Sequence, residues 1–583
     1  KSASGLIKNK IDKVFGKSIT SQERENLAYL IYYPEKRMKE LENSGGLTDE
    51  WQKITIYRLI LVCESVSAKY TRSKVREKCP NDFLYILDEL LNVTDDINKD
   101  FYYDEIISSI IETGISQHFI ASVCNLIQAI AIDKLHIIGD IFDRGPRPDI
   151  IMDELMKRSD VDIQWGNHDI SWMGACSGNK ALIANVVRIA ISYNGFDVLE
   201  DGYGLNLRAL SVFANEVYKD DPCTRFMPHL LDYNKYDSVE DTLTAKMHKA
   251  ITVIQCKLEG QLIRKHPEYE MKSRNLLTQA DFRNGTITIK GKTYKLKDNN
   301  FPTINPENPL ELTPQEDELM NILSASFRHS QKLNRHMKFL YSHGSMYKVC
   351  NGNILYHGCI PMTESGEFEY MNIGGKNYSG KALLDRINEI AREAYYGTYG
   401  SKSKEQACDF MWYLWCGAKS PIYGKDKMAF FERYFTDDSA LHKEVYNPYY
   451  KLSDNPQVCM KILREFGVSA ENGHIINGHV PVKIKDGESP IKADGKLYVI
   501  DGGISKAYRT KTGIAGYTLI YDSHSLQLAE HTAENYAPKV YIVEKMKERV
   551  NISDTDLGKE LEERISDLNE LLKAYRSGAI QES

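Results

Sequence analysis

The sequence has no uninterrupted apolar run of the ~18 residues that a membrane-spanning helix requires. Its opening stretch, Lys1-Ser2-Ala3-Ser4-Gly5-Leu6-Ile7-Lys8, carries no apolar signal segment. No membrane partner is expected. Cysteine pairing is missing as well: the 11 cysteines are an odd number, scattered from Cys63 to Cys459 with no Cys-x-x-Cys pair. That excludes a short-chain disulfide framework and points to reduced thiols in a cytoplasmic protein. Positive charge is not in excess, since 74 Lys+Arg against 81 Asp+Glu leave a net charge of −7. No global field exists to hold nucleic acid or an anionic bilayer, so any anionic ligand must be captured by a local site. Repeats and low-complexity tracts are also absent. What remains is 583 residues with 42% apolar and 27% charged content, which excludes wholesale disorder and leaves room for roughly four domain-sized units at about 150 residues each.

Residues 1–133 read as helix after helix. Thr20-Ser21-Gln22-Glu23 is a capping-box pattern that opens an apolar-periodic run through Leu27, Leu30 and Ile31 and stops before Pro34. Thr48 starts a second segment, Asn81 after Pro80 caps a third, and 106–132 is helical with Gly114 as a break. The period then changes. Leu135-His136-Ile137-Ile138 is a short apolar strand, followed by a Gly-Asp turn, a helix over about 149–157 and a second strand over 161–165. Strand, helix and strand in that order predict a βαβ unit and an α/β fold, with ligands gathering beyond the carboxyl ends of the strands. Residues 134–215 form one half of this core and 216–344 a mainly helical insertion with a hairpin near 284–297. Residues 345–545 form the other half, interrupted by helices near 380–470, and 546–583 end the chain in a charged helix.

Two strand ends carry dense polar clusters, Gly139-Asp140-Ile141-Phe142-Asp143-Arg144-Gly145 and Gly166-Asn167-His168-Asp169. Such clusters are poor core and good cation sites. Carboxylate, amide oxygen and imidazole suit a divalent metal, and glycine lets backbone approach closely where a ligand enters. Two histidines end apolar strands far downstream, His357 before Gly358 and His479 after Gly478. Four matching strand-end clusters read as one metal site.

In these blocks the chain resembles the calcineurin-like metallophosphoesterases, whose ordered signature runs D-x-H, G-D-x-x-D-R-G, G-N-H-[DE], a strand-end H-G and a later G-H. The stretches Tyr70–Lys74, Ile163–Asp169, Lys332–Met337, Trp412–Trp415, Gly473–Pro481 and Ile500–Tyr508 narrow the resemblance to the class 3 fructose-1,6-bisphosphatases of Firmicutes-type bacteria. That resemblance implies two packed mixed sheets flanked by helices, large helical additions, a binuclear manganese (Mn2+) site and a small sugar phosphate as substrate. It implies that Asp140 bridges two metals while Asn167, His357 and His479 complete one shell. By the same resemblance His168 is the general acid, Asp143 orients it, Arg144 clamps the phosphate and Asp169 stands behind the ligands. The competing reading of Arg144 is an ordinary ion pair with Asp149 or Asp153. Arg147, Arg335, Lys506 and Arg509 are the basic residues considered for the distant 6-phosphate. The sequence names no oligomeric state.

One block departs from the pattern. No D-x-H precedes Gly139; Asp133-Lys134-Leu135-His136 has the wrong spacing, and Asp522-Ser523-His524 comes last and reads as a hairpin turn. With the chain opening on Lys1, the expectation is that a family N-terminal segment lies upstream, so that the first metal keeps only Asp140. Two further readings follow: a protein or dinucleotide polyphosphate phosphatase with the same metal blocks, and a catalytically silent sugar-phosphate sensor.

Overall fold

The structure, a computed structural model, describes residues 4–92, 99–158, 160–229, 240–503, 512–513, 516–532 and 539–580. It is an α/β protein whose chain divides into two compact units, one of residues 1–135 with 518–521 and 525–545, the other of 136–517, 522–524 and 546–583. Among the described residues no helix is long and apolar enough to cross a membrane.

Helices make up most of the first unit, which also takes in the strands of 518–521 and 525–545. Thr20 Oγ1 accepts from the Glu23 N–H at 3.2 Å while the Thr20 N–H donates to Glu23 Oε2 at 2.8 Å, so the box caps helix Ser21–Tyr32 from both directions. Thr48 caps Asp49–Ser67 from one side only, its Oγ1 accepting the Trp51 N–H at 3.2 Å. Gly114, at φ +74°, separates Lys99–Glu112 from Ser116–Ala131. Asn81 behaves differently from its expected role: it opens a 3-10 turn, Asn81–Phe83, that feeds helix Leu84–Asn92. The apolar stripes of these helices meet in one core around Leu59, Ile60, Phe119 and Ile127. Strands Gly516–Tyr521, Ser525–His531 and Lys539–Lys545 form a separate sheet in that order.

The second unit contains the predicted strand–helix–strand run as Leu135–Ile137, Pro148–Leu155 and Val161–Gln164. Val161–Gln164 pairs in parallel with Gly344–Ser345. A five-stranded sheet runs in the order Ile491–Lys492, Leu497–Val499, His474–Asn477, Asn353–Tyr356, Tyr347–Cys350, and its three central strands are parallel. Parallel neighbours end on the same side, which places His357 and His479 at one rim. The hairpin falls at Thr286–Ile289 and Lys292–Lys295, where Lys290 and Gly291 both take positive φ, as a tight two-residue turn requires.

Helices carry the rest of this unit. The 25-residue helix Asp241–Lys265 is buried along most of its length and holds two wholly buried lysines. Lys257 Nζ lies 2.7 Å from Glu316 Oε2 and donates to the Thr303 carbonyl at 2.7 Å, which ties this helix to Pro314–His329. Both charged groups are removed from water, so each depends on the other. Glu316→Gln is therefore expected to destabilise the second unit by about 3–5 kcal/mol, because it strands a buried ammonium. Denaturant unfolding followed by tryptophan fluorescence measures this, and a loss below about 1 kcal/mol, the range of an exposed pair, would contradict it.

Candidate metal centre

The loop after Leu135–Ile137 turns sharply because Gly139 and Asp140 both adopt the left-handed region, at φ +81° and +57°. A Cβ on Gly139 would lie 2.5 Å from the Gln164 carbonyl and 2.8 Å from His357 Nδ1, so only glycine admits the second loop and the histidine so close. Asp169 then staples the two loops together. Its Oδ2 accepts from the N–H groups of Asp140 at 2.8 Å and Gly166 at 3.0 Å, and its Oδ1 accepts from Phe142 at 3.3 Å. Burial and the nearby Asp140 charge push the Asp169 carboxyl up from its usual range. Asp140 Oδ1 accepts from the His168 N–H at 3.1 Å, which leaves Oδ2 facing the histidines.

Two imidazoles complete that face. His357 Nδ1 lies 2.6 Å from the Ile138 carbonyl, and His479 Nε2 lies 2.9 Å from the Tyr423 carbonyl. A carbonyl can only accept, so each of these nitrogens carries the proton and the opposite nitrogen presents a lone pair. His357 Nε2 stands 3.2 Å from Asp140 Oδ2 and 3.2 Å from His479 Nδ1. With both rings neutral, three acceptors would converge with no donor among them. A single proton on His357 satisfies the contact with Asp140 and leaves His479 opposed by a positive ring. Burial opposes charge on His357, yet Asp140 raises its pKa to about 9, while burial and the His357 charge push His479 down to about 3. A cation at the centre would serve all three lone pairs together, with the outer N–H groups held by backbone as metal-bound histidines usually are.

A second cluster shares the same carboxylate. Ligand atoms of Asp140, Asp143 and His168 lie within 4.8 Å of one another, as do those of Asp140, His357 and His479, and these are the two such groups among the described residues. Asp143 Oδ1 is 3.0 Å from His168 Nε2, outside hydrogen-bond geometry, and is buried without a hydrogen-bond partner; so is Asn167 Oδ1. Carboxylate oxygens and imidazole nitrogens converging in this way fit a divalent cation of the oxygen- and nitrogen-loving kind. The His168 ring packs edge-on against Trp415, centroids 5.1 Å apart, from helix Lys402–Cys416.

The basic residues sort differently. Arg144 Nε lies 3.4 Å from Asp143 Oδ1 and its guanidinium covers the Tyr193 ring at 5.3 Å. Asp149 and Asp153, its alternative partners, are engaged elsewhere. Arg147 grips Asp149 with two 2.8 Å bonds, and Arg335 and His336 reach Asp153 at 2.9 Å. Arg147 and Arg335 are thus occupied by carboxylates, and Lys506 and Arg509 lie outside the described residues. His136 pairs with Asp162 at 2.8 Å, and Asp522–His524 forms a turn in which Asp522 Oδ1 accepts the His524 N–H. Neither stands in for the absent block. Asp501, to which the sequence reading gave no role, follows the strand Leu497–Val499, which pairs with the strand that leads to His479. Burial, with Asp140 and Asp143 adding to it, pushes its carboxyl up to about 6. Its signal was its place just past a strand, within the stretch Ile500–Tyr508.

The family model described as Firmicute fructose-1,6-bisphosphatase matches residues 1–577. Among curated relatives, the protein called fructose-1,6-bisphosphatase class 3 of Clostridium tetani is 51% identical over 595 residues, covering 100% of this chain and 90% of that protein. Its namesakes in Clostridium novyi and Clostridium acetobutylicum are each 50% identical over 594 residues, covering 100% of this chain and 89% of theirs. No solved structure matches the chain.

If Asp169 positions the ligands, removing its carboxylate leaves the Asp140, Phe142 and Gly166 N–H groups without their acceptor. Asp169→Ala is expected to weaken Mn2+ binding by roughly 10–100-fold in calorimetric titration. Unchanged affinity in a folded variant would show that the staple is dispensable.

Proposed function

This chain belongs to the Firmicute fructose-1,6-bisphosphatase family, and on that premise we propose that it hydrolyses fructose 1,6-bisphosphate to fructose 6-phosphate and phosphate, a step of gluconeogenesis. The observation that carries the chemistry is the convergence of ligand atoms of Asp140, His357 and His479 to within 4.8 Å of one another. In this reading Asp140 serves both clusters, and Asn167, His357 and His479 complete one cation shell. The fold around them is a calcineurin-like metallophosphoesterase core, built from the strand ends of two sheets. Oxygen and imidazole donors without a thiolate suit Mn2+. Divalent cations bound there polarise a phosphoryl oxygen and favour ionisation of the attacking water.

The remaining work falls to the chain's own groups. His168 delivers a proton to the sugar oxygen as its bond to phosphorus breaks, since an alkoxide is a poor leaving group near neutral pH. Asp143, 3.0 Å from His168 Nε2, steers that ring. Trp415 limits the ring's motion from the other side. Arg144 is held at the same loop by Tyr193 and Asp143, and its planar fork suits two phosphate oxygens. All eleven cysteines are free thiols, ten of them buried, which agrees with a reducing, cytoplasmic setting.

The protein is expected to release phosphate from fructose 1,6-bisphosphate in the presence of Mn2+ and to stop when the metal is chelated. His168→Asn should lower kcat by roughly 10²–10⁴-fold with a small change in KM, the mark of a group that acts on the reacting bond. Turnover of a dinucleotide polyphosphate or phosphoprotein with none of the sugar bisphosphate would refute the substrate assignment. An intact kcat in His168→Asn would refute the acid.

A further inference from the structure

The helix Asp556–Arg576 is held at one end only. Thr555 Oγ1 caps it by accepting the Gly558 N–H at 3.1 Å. Asp556 and Asn351 exchange two hydrogen bonds, 2.7 and 3.1 Å, which fasten its first turn to the tip between strands Tyr347–Cys350 and Asn353–Tyr356. Beyond that clamp only Gly558 is buried. Leu561, Ile565, Leu568, Leu572 and Tyr575 stand between 41% and 63% exposed. Their spacing alternates four, three, four and three residues. That is the 3.5-residue repeat of a coiled-coil seam, which Leu557 and Leu571, 40% and 43% exposed, widen along one side.

We propose that this helix is a self-association surface, which pairs antiparallel with the same helix of a second copy of the chain. The seam is symmetric about the point between Ser566 and Asp567: Leu561 and Leu572 are equidistant from it, as are Ile565 and Leu568. Two copies laid head to tail therefore stack Leu561 on Leu572 and Ile565 on Leu568, then repeat both layers in reverse. Charge favours the same direction. The first turns carry Asp556, Glu560, Glu562 and Glu563, whereas the last turn carries Lys573 and Arg576. Antiparallel pairing sets that acidic end beside the basic end of the partner and opposes the helix dipoles favourably. Parallel pairing would set Glu560, Glu562 and Glu563 beside their own copies. A membrane is a poor occupant, because the polar face holds six carboxylates against four basic side chains.

The test is sedimentation equilibrium of the full chain. A dimer is expected, and Leu568→Glu and Ile565→Glu should each raise its dissociation constant at least tenfold while circular dichroism and phosphatase activity stay unchanged. Direction is read by oxidative cross-linking: a mixture of Leu561→Cys and Leu572→Cys proteins should link to each other. A wild-type chain that stays monomeric would overturn the proposal, as would a dimer indifferent to both glutamate substitutions. Leu561→Cys linking to itself in place of Leu572→Cys would overturn the antiparallel arrangement.

Discussion

Three ligand atoms aimed at one point form the constraint on which the rest of this structure depends. Asp140, His357 and His479 come from segments far apart in the chain, and a charged His357 opposes a charge on His479. They stay together because two backbone carbonyls, of Ile138 and Tyr423, hold the outer N–H of each ring. The Asp169 carboxylate gathers three N–H groups of the facing loops in the same way. Positive φ at Asp140 and His479 adds roughly 1–2 kcal/mol of backbone strain for each residue. The two opposed imidazoles beside the Asp140 carboxylate favour a bound cation.

The architecture explains how such a cluster can be built. Parallel strands His474–Asn477 and Asn353–Tyr356 bring two histidine-bearing loops out on the same side. The Leu135–Ile137 and Val161–Gln164 strands present the two polar loops. Helices then fix the surroundings. Lys402–Cys416 leans Trp415 on His168, and Asp149 and Asp153 gather Arg147, Lys332, Arg335 and His336 into a charged network behind the loops. The basic side chains of that network are spent on structure, whereas Arg144 in the polar loop turns its guanidinium to Asp143.

Much of this was legible in the sequence because it rests on local rules. The change from helical period to short apolar strands at Leu135 marks the start of the strand–helix–strand run. The Thr20–Glu23 box needs only four residues to declare itself, and Lys290-Gly291 declares its hairpin through turn chemistry. The four strand-end clusters were legible because polar residues beside glycine make poor core. The invisible parts are of two kinds. Backbone carbonyls such as those of Ile138 and Tyr423 belong to every residue, so their roles leave no mark on the sequence. Pairings such as Arg147 with Asp149, or Trp415 with His168, depend on packing between distant segments. Asn81 shows the limit of local reading: a good capping residue after proline entered a 3-10 turn, because Phe83 is drawn into the core as the chain turns toward Leu84–Asn92.

Anomalous diffraction at the manganese edge, from crystals grown with Mn2+, tests the central claim most directly. The account predicts a peak within bonding distance of Asp140, Asn167, His357 and His479 together. Clear density for these four side chains with no anomalous peak between them, at saturating metal, would contradict it.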